Sequence, residues 1–541
     1  MYPKKRKPKK DRPPAIDYEF LKDLDNEPID RSLERNLEVI REMFRDCSDV
    51  VIRSFDIEKG IPAAAIFVDG LAKTDDVEQA MKCLMILEGG EVDVQRIVDR
   101  TLPVTQTSMT KEYGPFLLGI LGGDTGVLVE GNDQAILMGI RGPNTRSVSE
   151  PETESVIRGP REGFIENLRT NTSLIRRKIK SPRLKMKPMV VGLHSNTNVV
   201  LCYMEGITNP ALIQEAEERI SRIHIDSILE SGYLEEFIQD SAYSPFPQIQ
   251  YTERPEVVAQ AVMTGRLAIM IDGTPFVLLV PTVFINFMQA SEDFNERFQI
   301  GTLLRWLRYL LLFASLLTPA VYVAVTTFHQ EMIPTSLLLS IAGAREQIPF
   351  PAVIETLLME VVFEALREAG IRLPKAVGSA VGILGALVIG SAAVEAGIVS
   401  APIVIVVSMT GIASFAIPHF NGAIAVRMLR FPLILIGSMF GLYGILAGLM
   451  IIIGHMAGLR SFGVPFLAPM TPMKWKDAKH VFFRPPLWDI QTRPSYTYTQ
   501  DAVKMGNRLP REIMEQNGQK GKRIEHPENS DPNGGQEEGG S

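Results

Sequence analysis

The stretch FPLILIGSMFGLYGILAGLMIIIG, Phe431–Gly454, carries no charged side chain. A helix needs about 20 residues to cross a hydrocarbon core roughly 30 Å thick, and core helices of soluble proteins seldom stay uncharged for so long. The stretch therefore reads as a membrane span. Ala376–Val394 and Ile398–Pro418 have the same character, and so does Trp306–Phe328 apart from Arg308 near its start. Pro351–Gly370 has the length but carries Glu355, Glu360, Glu364, Arg367 and Glu368. Residues 304–457 are accordingly expected to form an α-helical multi-pass transmembrane domain of four to six segments.

The composition of the whole chain conceals this block. Its 541 residues are 45% hydrophobic and 22% charged, with 56 basic and 63 acidic side chains giving a net charge of −7. That is the profile of a mildly acidic soluble protein, because polar sequence on either side dilutes the apolar region. It excludes a collagen-like, disulfide-rich or wholly disordered chain. Cys47, Cys83 and Cys202 are scattered and odd in number. They imply neither a disulfide framework nor a zinc site, and suit a reducing compartment.

Residues 1–30 read as a disordered basic N-terminus suited to touching anionic lipid, since Lys4, Lys5, Arg6, Lys7, Lys9, Lys10 and Arg12 crowd its start. No apolar run follows to make a signal peptide, and no aromatic interleaving points to nucleic acid. Residues 458–504 read as a cytoplasmic C-terminal segment, and 505–541 as a disordered tail of low complexity.

Upstream of the apolar block the sequence repeats itself. A β-branched run at Val50–Phe55 is followed by Ala64–Val68, an Asp-Gly pair and a helical stretch from Asp75. The same order returns as Met186–Gly192, Val199–Met204, a Glu-Gly pair and a helix over Pro210–Arg222. Each copy later carries a hairpin pattern, Gly126–Gly131 answered by Ala135–Met138, and Leu267–Gly273 answered by Phe276–Val280. Acid-Gly pairs favour tight turns because glycine accepts positive φ. The expected fold is thus an α/β cytoplasmic region of two related subdomains, residues 31–140 and 184–303, followed by the membrane domain. Residues 141–183 join the two as a basic helical segment, suited to bridging them, to holding an anion, or simply to packing.

Lys and Arg flank alternate ends of the five candidate spans, which places the N-terminal half in the cytoplasm. Five crossings would then put Arg460, Lys474, Lys476 and Arg484 outside, which the same rule disfavours. Either one candidate is re-entrant or Ile333–Ala344 enters the membrane as well. Both ends inside is the favoured outcome.

No HExxH, Walker A, GxGxxG or GxSxG signature occurs, so no enzyme and no cofactor are expected; Asp124-Thr125-Gly126 reads as a turn. The candidate functional residues are polar groups in the apolar block. On a helix, Thr356, Glu360, Glu364 and Arg367 share one face. That face could line an aqueous path, or the helix could lie at the interface with its acids in water. Glu395 is either a carboxylate at a pore mouth or a loop acid. Gly378 with Gly382, Gly437 with Gly441, and Gly444 with Gly448 are spaced for close helix packing.

Several ordered blocks resemble the A-subunit of the GerA family of spore-germination receptors. Gly159-Pro160-Arg161-Glu162-Gly163-Phe164 and Asn167-Leu168-Arg169-Thr170-Asn171 carry the first of them. Ser244–Gln248, Glu253-Arg254-Pro255, Thr326–His329, Ile348–Pro351, Ala393–Val399 and Leu459–Pro465 carry the rest, over residues 31–480. The resemblance implies a subunit of a nutrient-germinant receptor in the inner membrane of a bacterial endospore, with a cytoplasmic N-terminal region. It implies a transporter-like B-subunit and a lipoprotein C-subunit as partners. It also implies self-assembly, as a pentamer, into a ligand-gated channel that releases monovalent cations. An accessory channel of the same family acting downstream of the receptors is the alternative. A secondary transporter is a further rival, but that would need inverted repeats among the spans, and the repeat seen lies in the soluble half. The last rival is a non-conducting scaffold.

Overall fold

The computed structural model describes residues 27–505, apart from 58–59, 87–105, 143–149, 152, 155, 157, 373–387 and 389. The basic N-terminus, the tail and most of the Ala376–Val394 candidate lie outside the described residues.

The second strand, all apolar, dictates a sheet covered on both faces. Side chains alternate along a strand, so Ala63, Ala65 and Phe67 enter one buried cluster while Ala64, Ile66 and Val68 enter another. The sheet comprises β1 (Val50–Ile57), β2 (Ile61–Val68), β3 (Thr107–Thr110), β4 (Thr125–Val129) and β5 (Ala135–Met138). Its order is β1-β2-β4-β5-β3, with antiparallel pairing throughout. Helices α1 (Leu33–Met43) and α3 (Tyr113–Leu121) cover one face and α2 (Thr74–Met85) the other. Each Val, Leu or Ile side chain so buried contributes about 1.5–3 kcal/mol.

The second sheet repeats the first strand for strand. β6 (Leu184–Val191), β7 (Thr197–Met204), β8 (Gln250–Thr252), β9 (Leu267–Ile271) and β10 (Val277–Val280) take the order β6-β7-β9-β10-β8, again antiparallel. Val199, Leu201 and Tyr203 pack under α5 (Pro210–Ser221) and α6 (Ser231–Ile238). Val200, Cys202 and Met204 pack under α4 (Leu168–Lys178) and α7 (Pro255–Met263). The edge strands β3 and β8 are too short to leave a period in the sequence.

The basic segment before the second sheet is a strut. Arg176 of α4 donates to Asp49 through Nε (2.7 Å) and Nη2 (2.9 Å), with both side chains fully buried. Arg169 reaches Asp69 (3.0 Å) and the Ser48 carbonyl (3.0 Å). The loop after α1 adds to the edge of β6, with Met186 N–H donating to Asp46 O at 2.8 Å.

The helical half begins with α8 (Phe298–Phe328), 31 residues that start beside the second sheet. α9 (Thr335–Arg345), α10 (Ala352–Arg372), α11 (Ala401–Ser414) and α12 (Phe420–Gly458) follow. Helices α8 and α12 are long and apolar enough to cross a membrane by length and composition. α12 is not one rod. At Gly441 the backbone leaves the helical region, at φ 61° and ψ −149°. A Cβ placed on Gly448 would lie 2.7 Å from the Leu433 side chain, and one on Gly437 3.2 Å from Ile445. In a straight helix residues 433 and 448 would be about 22 Å apart. The chain therefore reverses at Gly441 into a helical hairpin whose tip meets His329, at the end of α8, where Leu442 N–H donates to Nε2 (3.4 Å).

This corrects the reading of Phe431–Gly454 as a single span. It also accounts for the C-terminal segment, which returns to the sheets. Thr282 N–H donates to Ser461 Oγ (2.9 Å) in β11 (Arg460–Ser461), which pairs with β12 (Val464–Pro465). The Arg219 guanidinium lies 4.2 Å over the Phe462 ring. α13 (Trp475–Phe482) caps the start of α8, with Arg305 Nη1 donating to His480 O (2.6 Å) and Trp306 Nε1 to Phe482 O (2.8 Å). Both flanking segments thus sit at the same end of the bundle.

Candidate functional site

α10 carries its polar face into the bundle. Ile354, Leu358 and Val361 are exposed on the outer side, whereas Glu355, Thr356 and Glu360 are buried. The helix runs back toward the sheets. Near its start Glu355 accepts from Arg345 Nε (3.3 Å) and from Ser400 N–H (2.9 Å), which heads α11. Near its end Arg367 lies 5.9 Å from the Phe420 ring at the start of α12.

Between these ends sits a cluster of five charged groups. Arg430 Nη1 donates to Glu360 Oε2 at 2.6 Å, with 2% and 3% of the side chains exposed. Arg367 pairs with Glu364 one turn earlier, and Arg427 Nε lies 3.9 Å from the same carboxylate. Arg427 also stands 5.5 Å from the Phe420 ring centre. Three guanidinium groups therefore share two carboxylates. Glu360 Oε1, Arg367 Nη1, and Nε and Nη2 of both Arg427 and Arg430 are buried without a hydrogen-bond partner. Buried groups left in this state are costly, and native proteins keep few of them.

Glu360, Glu364 and Arg367 are thus brought together, and Thr356 lies on the same buried face with its hydroxyl donating to Ala352 O (2.7 Å). Glu395 stands apart, exposed at the end of a helical stretch before α11. Sequence reasoning missed Arg427 and Arg430 as cluster members and saw them only as charges flanking a span. Their three-residue spacing ahead of Pro432 was the available signal, since it puts both on one helix face.

Among the packing glycines, Gly437, Gly441, Gly444 and Gly448 all lie in the hairpin and are buried there, while Gly378 and Gly382 fall outside the described residues. The soluble motif has local structural work. Asn167 caps α4 by accepting from Thr170 N–H (3.0 Å), and buried Asn171 accepts from Ile165 N–H (2.9 Å). Pro160 O accepts from Arg254 (3.1 Å), and a Cβ on Gly159 would meet Asn295 Nδ2 at 2.8 Å. Gly163 is buried beside Phe164, and Arg161 forms an exposed pair with Glu150 (3.2 Å). Among the described residues no group of three His, Cys, Asp or Glu side chains is arranged to hold a metal.

Residues 38–496 match the family model described as Bacillus/Clostridium GerA spore germination protein. The chain is 46% identical to a protein named uncharacterized membrane protein YfkQ of Bacillus subtilis, over 95% of this chain and 97% of that one. It is 43% identical to spore germination protein KA of the same organism, over 88% and 89% of the two chains. With spore germination protein GerLA of Bacillus cereus it shares 40% identity, over 87% and 97%. Among solved structures it is similar to the N-terminal domain of the A subunit of the Bacillus megaterium spore germinant receptor GerK3. That similarity has 30% identity and a TM-score of 0.38, covering 48% of this chain and 98% of that one.

Proposed function

The chain belongs to the GerA spore germination protein family, and from that premise we propose that it is the A-type subunit of a nutrient-germinant receptor, forming an ion channel in the inner membrane of the endospore. Its sheets lie in the spore core, on the cytoplasmic side. Its helical half spans the membrane in several passes and assembles with further copies, as a pentamer. A transporter-like B-subunit takes up the nutrient signal, a lipoprotein C-subunit completes the receptor, and opening releases monovalent cations.

The observation that carries this reading is the buried charged cluster among mainly apolar helices. At 1.5 Å per residue the two arms of the hairpin are about 31 and 25 Å long, close to the roughly 30 Å of a hydrocarbon core. One charge at that depth costs about 2.5–3.5 kcal/mol on insertion scales, so five in contact are expensive unless the protein uses them. A path opens when the Glu360–Arg430 and Glu364–Arg367 pairs separate, freeing carboxylates to meet a cation. In the closed chain the arginines occupy them.

Copurification from spore membranes tests the receptor role. The tagged chain is expected to bring down a transporter-like and a lipoprotein partner, and its deletion to abolish germination with one class of nutrient. Recovery of the chain alone, from spores that germinate normally with every nutrient, would contradict it.

A further inference from the structure

Where α8 leaves the second sheet, a cavity of about 450 Å³ lies between that sheet, the first turns of α8, the start of α12 and the returning C-terminal segment. Four arginines from three of these parts line it, Arg254, Arg266, Arg305 and Arg484, each 5% exposed or less. Arg308 and Lys504 add two more basic groups, against the carboxylates of Glu154, Glu292 and Asp477. Just behind the wall, Asp293 serves Arg308 (2.7 Å) and Arg305 (3.6 Å), and Glu256 serves Arg254 (2.6 Å).

Arg266 is different. Its guanidinium donates to Pro281 O (2.9 Å), Gln250 Oε1 (2.8 Å), Leu279 O (3.2 Å) and Thr282 Oγ1 (2.8 Å), all neutral oxygens. Burial lowers its pKa to about 10. Arg484 gives one N–H to Phe294 O (3.2 Å) and lies 5.7 Å from that ring, while its Nε–H is buried without a partner, as is that of Arg305.

Charges buried against neutral dipoles are costly unless a counter-charge arrives. A low-dielectric cleft with a basic surplus concentrates anions, and planar guanidinium forks match the paired oxygens of phosphate. We propose that this cavity binds a phosphate-bearing anion, either a soluble phosphate compound or the headgroup of an anionic phospholipid entering at the membrane boundary. The cavity's size suits a ligand of that kind. An anion held there ties the second sheet, α8, α12 and the C-terminal segment together at the joint between the soluble and helical halves. The proposal stands apart from the channel reading, because binding is measured without ion flux.

The test uses the full chain in detergent micelles, titrating inorganic phosphate against chloride at matched ionic strength. The unfolding midpoint of the wild type should rise saturably with phosphate. Arg266→Gln and Arg484→Gln should each raise the half-effect concentration by about tenfold or more, the loss of a charge-assisted hydrogen bond. Arg53→Gln, an exposed site on β1, should respond as the wild type does. A second arm compares nanodiscs of phosphatidylglycerol with those of phosphatidylcholine. A midpoint raised only by phosphatidylglycerol, and lost in the same two variants, assigns the headgroup; a response to phosphate alone assigns the soluble anion. Arg266 also anchors the end of β10, so should Arg266→Gln fail to fold, Arg484→Gln decides. The proposal is overturned when neither phosphate nor phosphatidylglycerol exceeds its control, or when the Arg484 variant responds like the wild type.

Discussion

Glu360 and Arg430 lie 70 positions apart in sequence, yet they form a buried ion pair within the helical half. Removing one partner leaves the other buried and uncompensated. Glu360→Ala is therefore expected to cost about 3–5 kcal/mol, read as a lower unfolding midpoint in micelles, with the swapped double variant Glu360→Arg, Arg430→Glu regaining part of it. Glu368→Ala, which breaks the exposed Arg372–Glu368 pair, should cost no more than about 1 kcal/mol. Sequence spacing exposed the Glu360 face, because residues three and four apart share a side of a helix. It puts Arg427 and Arg430 on one face as well, but does not show which carboxylates they meet, since contact across such a separation leaves no periodic trace. In the soluble half Glu154 offers a titration. Burial pushes its carboxyl from 4.5 up to about 7, against the lowering pull of the Thr252 hydrogen bond and Arg254. The folded chain therefore holds this proton longer than the unfolded chain. The resulting stability is fully present below about pH 4.5 and is lost as pH rises through 7, with a slope of at most one proton, about 1.4 kcal/mol per pH unit. Glu154→Gln should flatten that part of the stability profile.

A single glycine decides the largest difference between sequence and structure at the level of elements. Nothing in Phe431–Gly454 announces a turn, because the run contains no polar loop and its one proline, Pro432, lies at the beginning. The glycines at four-residue spacing do report close packing, but Gly444 and Gly448 pack against the other arm of their own hairpin, while Gly441 packs against the end of α8 and Gly437 against both. Gly441→Ala would place a Cβ 2.8 Å from His329 Nε2 on a backbone at φ 61°. A loss of about 1–3 kcal/mol is expected, whereas Gly454→Ala, with nothing within 4 Å, should leave the unfolding midpoint unchanged or raise it. The sheets were more legible. β1, β2, β6, β7 and both hairpins announce themselves through short apolar or β-branched runs, and an acid and a glycine end β2, β7 and the first strand of each hairpin. The helix α4 was recognisable as basic and partly apolar, but its role as a strut depends on Asp49 and Asp69, which only the fold brings near.

On the scale of the whole molecule, the hairpin removes the conflict in the charge distribution. Five unbent crossings would strand Arg460, Lys474, Lys476 and Arg484 away from the sheets, whereas the observed chain returns to them. With the sheets in the cytoplasm, an impermeant thiol reagent applied from outside should label Glu395→Cys. It should reach Tyr498→Cys only after permeabilisation; labelling of both from one side would contradict the two-sided arrangement. The native cysteines interfere little, since Cys47 and Cys202 are buried and all three belong to the sheet half.

That arrangement matters because a channel needs the charged cluster to sit between two aqueous compartments. The most direct test is cation flux through the purified full-length chain reconstituted in liposomes, alone and with its copurified partners. The account predicts nutrient-dependent flux of monovalent cations that changes when Glu360→Gln, Glu364→Gln or Arg430→Gln disturbs the cluster. A well-formed oligomer, correctly inserted with its partners, that passes no cations under any nutrient would contradict it.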